Sequence, residues 1–364
     1  MSERRNILIL TSKTGGGHIS LAEALRDRLI HDYTIELVDP QPNFIQWHYR
    51  VVSRYALWLW ATEFRLADTP QRARLMHHVY TVSLRKNLQN LLARAKPDLI
   101  ITTYPFLSYE VGQILAKTSS SIPLVMLFSD PDSVHCAWLT ERRAASTLAP
   151  TRETYEQALA AGFDPARLHL IGWPVRKQFY QVDGACRDEM LTKLGLDPRC
   201  FTIFLQGGGE GAAKFGQTVE RVLAASQDLQ VILAVGTNQA LLQRFKKVKN
   251  LYALPFTKEI APFMAAADVV MGKAGPNMLF EAVTLGKPFI ATAYIPGQEK
   301  GNLAFIHRHQ LGWVALKPDQ QQSLLARLVA DPSELQAMTT TVAAYRQWNM
   351  TASETIVPII QQLL

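Results

Sequence analysis

The chain carries one unit twice: an apolar run, a triglycine turn, then a helix-like run. Ile7-Leu8-Ile9-Leu10 passes through Thr14-Gly15-Gly16-Gly17-His18 into Ser20–Ile30. In the second half, Thr202-Ile203-Phe204-Leu205 passes through Gln206-Gly207-Gly208-Gly209-Glu210-Gly211 into Ala213–Ala225. A short buried strand that ends in glycines and continues as a helix reads as the first βα turn of a doubly wound sheet. Further strand-like runs follow in each half, among them Leu99–Thr103, Leu124–Phe128, Val231–Val235 and Val269–Met271, separated by helix-like runs. Such alternation argues for parallel sheets covered by helices. The expected fold class is α/β, with two doubly wound Rossmann-like domains facing a central cleft. A length of 364 residues allows two cores, and 48% hydrophobic against 19% charged residues suits a folded chain. The turn Gly172-Trp173-Pro174 marks the boundary, giving domains 1–175 and 176–349, with the tail 350–364 expected to pack back on the first.

Ligands of doubly wound sheets sit at the carboxyl ends of the strands, where one stretch stands out. Lys273-Ala274-Gly275-Pro276-Asn277 follows a strand end and opens a helix that carries Glu281; Gln298, Glu299 and Asn302 come shortly after. A helix start beside a lysine suits a phosphate, and Glu281 suits a ribose diol. Gln298, Glu299 and Asn302 offer the donors and acceptors that sugar hydroxyls need. The glycine turns add Gly17, Gly208, Gly209 and Glu210 as backbone partners for an anion. Phe256 is a candidate for contact with a base. Together these describe a nucleotide-sugar site.

His18 follows the first triglycine turn at a helix N-terminus, which lowers a histidine's pKa and keeps it neutral and able to accept a proton. The turn lacks the Lys-Ser or Lys-Thr of a phosphate-binding Walker loop and is not a GxGxxG fingerprint, so a nicotinamide cofactor is not expected. Asp130 and Asp132 form an Asp-x-Asp pair; beside two glycine-loop domains they read as loop and cap residues, not metal ligands. Asp130 follows a buried strand and is a second acid–base candidate, or the partner of His18. His135 and Trp138, just beyond, are assigned with it to the acceptor side.

The net charge of +7 implies an anionic partner. Between Trp47 and Lys96 nine basic residues face only Glu63 and Asp68, which accounts for the whole excess. Aromatic residues interleave there: Trp47, Arg54, Tyr55 and Trp58 read as an interfacial helix pair meeting an anionic membrane surface, with ordinary core packing as the plain alternative. No nucleic-acid motif is present. The first apolar run is too short for a secretion signal and no window reaches transmembrane length, so a cytoplasmic, peripherally membrane-associated protein is expected. The three cysteines have no metal or disulfide spacing, which agrees.

In order along the chain, Thr14–His18 with Ala22-Glu23-Ala24, Gly172-Trp173-Pro174-Val175-Arg176, Gly207–Gly211, Lys273–Pro276 with Glu281-Ala282, and Gly297-Gln298-Glu299 with Asn302 resemble one family. It is that of monogalactosyldiacylglycerol synthases and processive diacylglycerol glucosyltransferases, in glycosyltransferase family 28 with the GT-B fold. The resemblance implies an inverting, metal-independent transfer of a hexose from a UDP-sugar to a lipid acceptor, with no cofactor beyond the donor. It implies His18 as the base, Glu281 on the ribose, Gln298 and Glu299 on the sugar, and Lys273, Gly275 and Gly209 near the pyrophosphate. Where the family usually carries Thr or Ser, this chain has Met278. The alternatives on the same fold are a UDP-GlcNAc-type transferase, a UDP-sugar 2-epimerase or a non-catalytic nucleotide-sugar sensor.

Overall fold

The computed structural model describes residues 4–13, 17–42, 47, 51, 62, 68–182, 187–207 and 212–364. Among these, all strands pair in parallel and form two six-stranded sheets. The chain divides into two units: Met1–Lys177 with Pro296–Gly301 and Trp348–Leu364, and Gln178–Ile295 with Asn302–Gln347.

The first unit contains β1 (Asn6–Leu10), β2 (Thr34–Val38), β3 (Leu99–Thr102), β4 (Leu124–Leu127), β5 (Ser146–Ala149) and β6 (Leu168–Leu170), in the order β2-β1-β3-β4-β5-β6. Strands β3, β4 and β5 are buried along their whole length. Helices on both faces leave no wet side, which is why these runs are apolar throughout instead of alternating. The helix Gly17–Leu29 returns from β1 and buries Leu21, Ala22, Leu25 and Leu29. The helix Pro70–Ala95 starts at Thr69, whose hydroxyl accepts from the Arg72 N–H, with Pro70 at the first helical position. It ends at Lys96, left-handed at φ 42°, whose N–H returns to the Leu92 carbonyl. Arg85 on it pairs at 3.1 Å with the buried Glu110 of the helix Pro105–Lys117.

His77, on the same long helix, is buried and stacked on Tyr109 at 4.3 Å. Its Nε2 lies 2.7 Å from the Thr140 hydroxyl. Burial holds its pKa down to about 4, against a smaller upward pull from the Ala137 carbonyl. As pH falls, the unfolded chain takes up this proton first, so stability from His77 is full above about pH 6.5 and is lost between about 6.5 and 4. The linkage amounts to about 2 kcal/mol between pH 7 and pH 5. Asp130 titrates in the opposite sense over the same window and His18 in the same sense, so the effect is read by difference. His77→Phe, which keeps the ring stack, is expected to lose less stability than wild type between pH 7 and pH 5 in urea melts; equal losses would contradict the assignment.

Residues Trp348–Leu364 complete the first unit. Asn349 is buried and grips Trp173 from both sides: its Oδ1 accepts from the Trp173 N–H at 2.6 Å, and its Nδ2 donates to the Trp173 carbonyl at 3.0 Å. Gly172 makes this approach possible. It sits at φ +66°, and a Cβ there would stand 2.6 Å from the Asn349 carbonyl oxygen.

The second unit contains β7 (Phe201–Gln206), β8 (Leu229–Gly236), β9 (Leu251–Pro255), β10 (Val269–Lys273), β11 (Phe289–Ala293) and β12 (Gly312–Val314), in the order β12-β11-β10-β7-β8-β9. Its core brings Ile203, Leu205, Val231, Leu233, Val269 and Met271 together with Phe215 and Val219 of the helix Ala212–Leu223. No helix among the described residues is long and apolar enough to cross a membrane.

Candidate active site

In the first unit the site is built on the carboxyl edge of the sheet. His18 stands one residue into the helix after β1, and Thr103 directly follows β3, the neighbouring strand. The two are tied twice. His18 Nδ1 lies 2.8 Å from the Thr103 carbonyl oxygen, and the Thr103 hydroxyl donates to the His18 carbonyl at 3.3 Å. That hydroxyl also reaches Thr11 at 3.0 Å. A carbonyl only accepts, so Nδ1 carries the proton and Nε2 is left as the basic nitrogen. Tyr104 meets the imidazole edge-on at 5.0 Å. The His18 pKa is lowered to about 4 by burial, against a smaller rise from the Thr103 bond. The ring is therefore neutral at physiological pH, as its place after the glycine turn suggests, and burial is the larger of these two causes.

Asp130 sits beyond the end of β4, on the same edge, one strand past Thr103. At the usual spacing of neighbouring strands this places it about 10 Å from the line of β1. It is not the partner that orients His18; the Thr103 carbonyl is. Burial raises its pKa to about 7, partly offset by the indole of Trp138. Trp138 Nε1 completes no hydrogen bond among the described residues, so its N–H acts on Asp130 as a nearby dipole and not as a formed bond.

Two residues expected on the acceptor side face inward. Trp138 is fully buried and packs edge-on against Phe128 at 5.4 Å. His135 is 7% exposed and caps the short helix Cys136–Leu139, its Nδ1 accepting the Ala137 N–H at 3.1 Å. This one-turn helix turns its apolar side into the core, so neither residue is exposed as a membrane-facing side chain would be. Trp47, in contrast, is helical and 63% exposed. Arg54, Tyr55 and Trp58 lie outside the described residues.

In the second unit the corresponding edge carries Lys273 at the end of β10, followed by Ala274, Gly275 and the helix Pro276–Thr284. Gly272, one residue earlier, lies so close to its neighbours that a Cβ would meet the Gln206 carbonyl oxygen at 2.7 Å and Met278 Cε at 2.9 Å. Met278 thus fills the floor between the ends of β7 and β10. The turn differs from expectation in one respect. The Ala274 N–H donates to the Ala293 carbonyl and the Gly275 N–H to the Lys273 carbonyl, each at 2.7 Å. Neither is available to a phosphate, because the adjacent strand β11 takes the first and the turn itself takes the second. What remains for an anion is Lys273 and the positive end of the helix. Glu281 is buried at 7% exposure on that helix. Asn302 is buried too, but its Nδ2 donates to the Ala274 carbonyl at 2.7 Å. It braces the turn with one of its two amide N–H groups. Phe256 is 63% exposed directly after β9. Gly208, Gly209 and Glu210 lie outside the described residues; Gly17 opens the first helix of the other unit.

The loop Pro296–Gly301 groups with the first unit. Glu299 in it is buried, and Gln298 holds its Oε1 buried without a hydrogen-bond partner among the described residues. An unsatisfied buried acceptor costs on the order of 1–3 kcal/mol until something donates to it. The positioning residues Thr103, Tyr104 and Asn302 carry this geometry.

Residues 20–175 match the model of monogalactosyldiacylglycerol synthase, and residues 202–347 match that of the glycosyltransferase family 28 C-terminal domain. A probable monogalactosyldiacylglycerol synthase 2, chloroplastic, of Oryza sativa subsp. indica is 29% identical over 353 residues, covering 89% of this chain and 73% of the relative. The two halves of the chain thus match the two models in order, and the chain is similar to monogalactosyldiacylglycerol synthases over most of its length. It is a glycosyltransferase. Among solved structures, a UDP-glucosyltransferase from Polygonum tinctorium superposes with a TM-score of 0.66 at 14% identity, over 99% of both chains. A UDP-GlcNAc 2-epimerase from Neisseria meningitidis gives 0.61 at 12% identity, over 98% of this chain and 100% of that one. These likenesses concern the fold, which is GT-B.

Proposed function

We propose that this protein moves a hexose from a UDP-sugar to a diacylglycerol-type lipid at the cytoplasmic face of a membrane, with inversion and without a metal. The observation that carries the reading is His18, neutral, with Nδ1 fixed on the Thr103 carbonyl and Nε2 left to accept a proton. The acceptor hydroxyl gives its proton to Nε2 as its oxygen attacks the anomeric carbon. The bond from that carbon to the diphosphate breaks, and the leaving group takes the electron pair. Lys273 and the helix start at Pro276 meet the charge that grows there, a contribution that gains from a dry site. Glu281 takes the ribose hydroxyls. Gln298, with a buried acceptor unsatisfied, takes a donor sugar hydroxyl, and Glu299 lies beside it in sequence.

The exposed Trp47 and the basic excess between Trp47 and Lys96 support a lipid surface as the place of acceptor binding. The proposal is tested by titrating UDP into wild type, Lys273→Ala and Glu281→Ala. Each variant removes a charged partner and is expected to weaken UDP about tenfold or more. Unchanged affinity in both would move the donor site elsewhere.

A further inference from the structure

A cavity of about 630 Å³ lies within the first unit, lined by Arg74, Tyr109, Gln113, Thr140, Arg142 and Arg143 among others. Arg142 and Arg143 precede β5, at its amino end, whereas His18 and Asp130 stand at the carboxyl ends of their strands. The transfer chemistry makes no use of this place. Its charge is unbalanced. Arg143 is paired with the fully buried Glu141, its Nε donating to Oε1 at 3.0 Å. Arg142 Nε reaches only the Leu139 carbonyl, at 3.4 Å. Arg74 and Arg142 form no ion pair among the described residues. Apart from Glu141, Asp68 also stands at this corner; it accepts from the N–H of the cavity-lining Cys136 at 2.8 Å and lies 3.9 Å from His135. Arg74 also stands on the second turn of the helix Pro70–Ala95, so the positive end of a 26-residue helix adds to the same field.

We infer that this cavity is a second anion site, and that it binds a soluble phosphate monoester. Guanidinium groups bind phosphate oxygens through parallel charge-assisted hydrogen bonds, and a dianion with three oxygens can engage several at once. The volume suits a small molecule and not a bare ion alone. Gln113 and the Tyr109 phenol, the latter held in place by the stack on His77, supply partners for a polyol carried on the phosphate. Such a ligand clasps the start of the long helix to the connection between the helix Cys136–Leu139 and β5. The inference does not depend on the proposed transfer reaction.

Calorimetric titration of the full chain with glycerol 3-phosphate tests it, in the presence of excess UDP to fill the donor site. Binding is expected in wild type and in Lys273→Ala, and glycerol alone is expected to give none. Arg74→Gln and Arg142→Gln, both exposed side chains, should each weaken binding tenfold or more with thermal melts unchanged. The inference is overturned if glycerol 3-phosphate does not bind, if UDP or Lys273→Ala abolishes its binding, or if both arginine variants bind as wild type does. Binding only to vesicles of an anionic phospholipid, with none to glycerol 3-phosphate, also overturns it.

Discussion

His18→Ala is expected to lower kcat by roughly 10²–10⁴-fold while leaving UDP affinity unchanged. The reasoning begins with geometry. Nδ1 is committed to the Thr103 carbonyl at 2.8 Å, so the ring presents one basic nitrogen in a fixed orientation. Removing the ring removes the proton acceptor and leaves the donor residues Lys273 and Glu281 in place. The pH dependence identifies the base. With the His18 pKa near 4, its basic form dominates at every pH above that, and kcat/KM should stay level from about pH 5 to neutrality. Asp130, with its pKa near 7, would instead give a rate that climbs tenfold per unit up to about pH 7 before levelling. Asp130→Asn separates the two further: a mild loss supports His18, and a loss as large as that of His18→Ala assigns the base to Asp130.

Asn349→Ala should destabilise the first unit by about 2–5 kcal/mol, because it orphans two buried backbone groups of Trp173 at once. These groups were held at 2.6 and 3.0 Å, and Gly172 was shaped to bring them together. The side chain removed is small, so the cost is chiefly unsatisfied polar groups and not lost apolar area. A fall in Tm of roughly 5–15 °C corresponds to this range. A change below 1 kcal/mol by urea melts would mean that the tail residues Trp348–Leu364 contribute little through this clamp.

What could be read from the sequence follows from what is local. The two strand–glycine–helix units are legible because apolar runs, glycines and helical spacing lie within thirty residues of each other. Lys273, Glu281 and the helix start at Pro276 are legible for the same reason. Thr103 was not, since its part is played by a backbone carbonyl that any residue possesses, and only the β1–β3 register puts it beside His18. The Ala274 N–H looked available because its partner, the Ala293 carbonyl, belongs to the next strand. Asn302 showed an amide but not its direction. His135 and Trp138 were assigned to the acceptor side from their place after Asp130, and a single helical turn buries both. Asn349 meets Trp173 across 176 positions of sequence, which no local pattern reveals.

The stretch from Lys273 to Asn302 and the ring of His18 belong to one reaction only if the protein glycosylates lipid. The direct measurement is incubation of purified protein with a panel of UDP-sugars, diacylglycerol vesicles and EDTA, followed by mass analysis of the lipids. The expected result is a diacylglycerol heavier by one hexose with one UDP-hexose, formed in EDTA and lost in His18→Ala. Epimerised UDP-sugar with unchanged lipid, or no product from any donor, would contradict it.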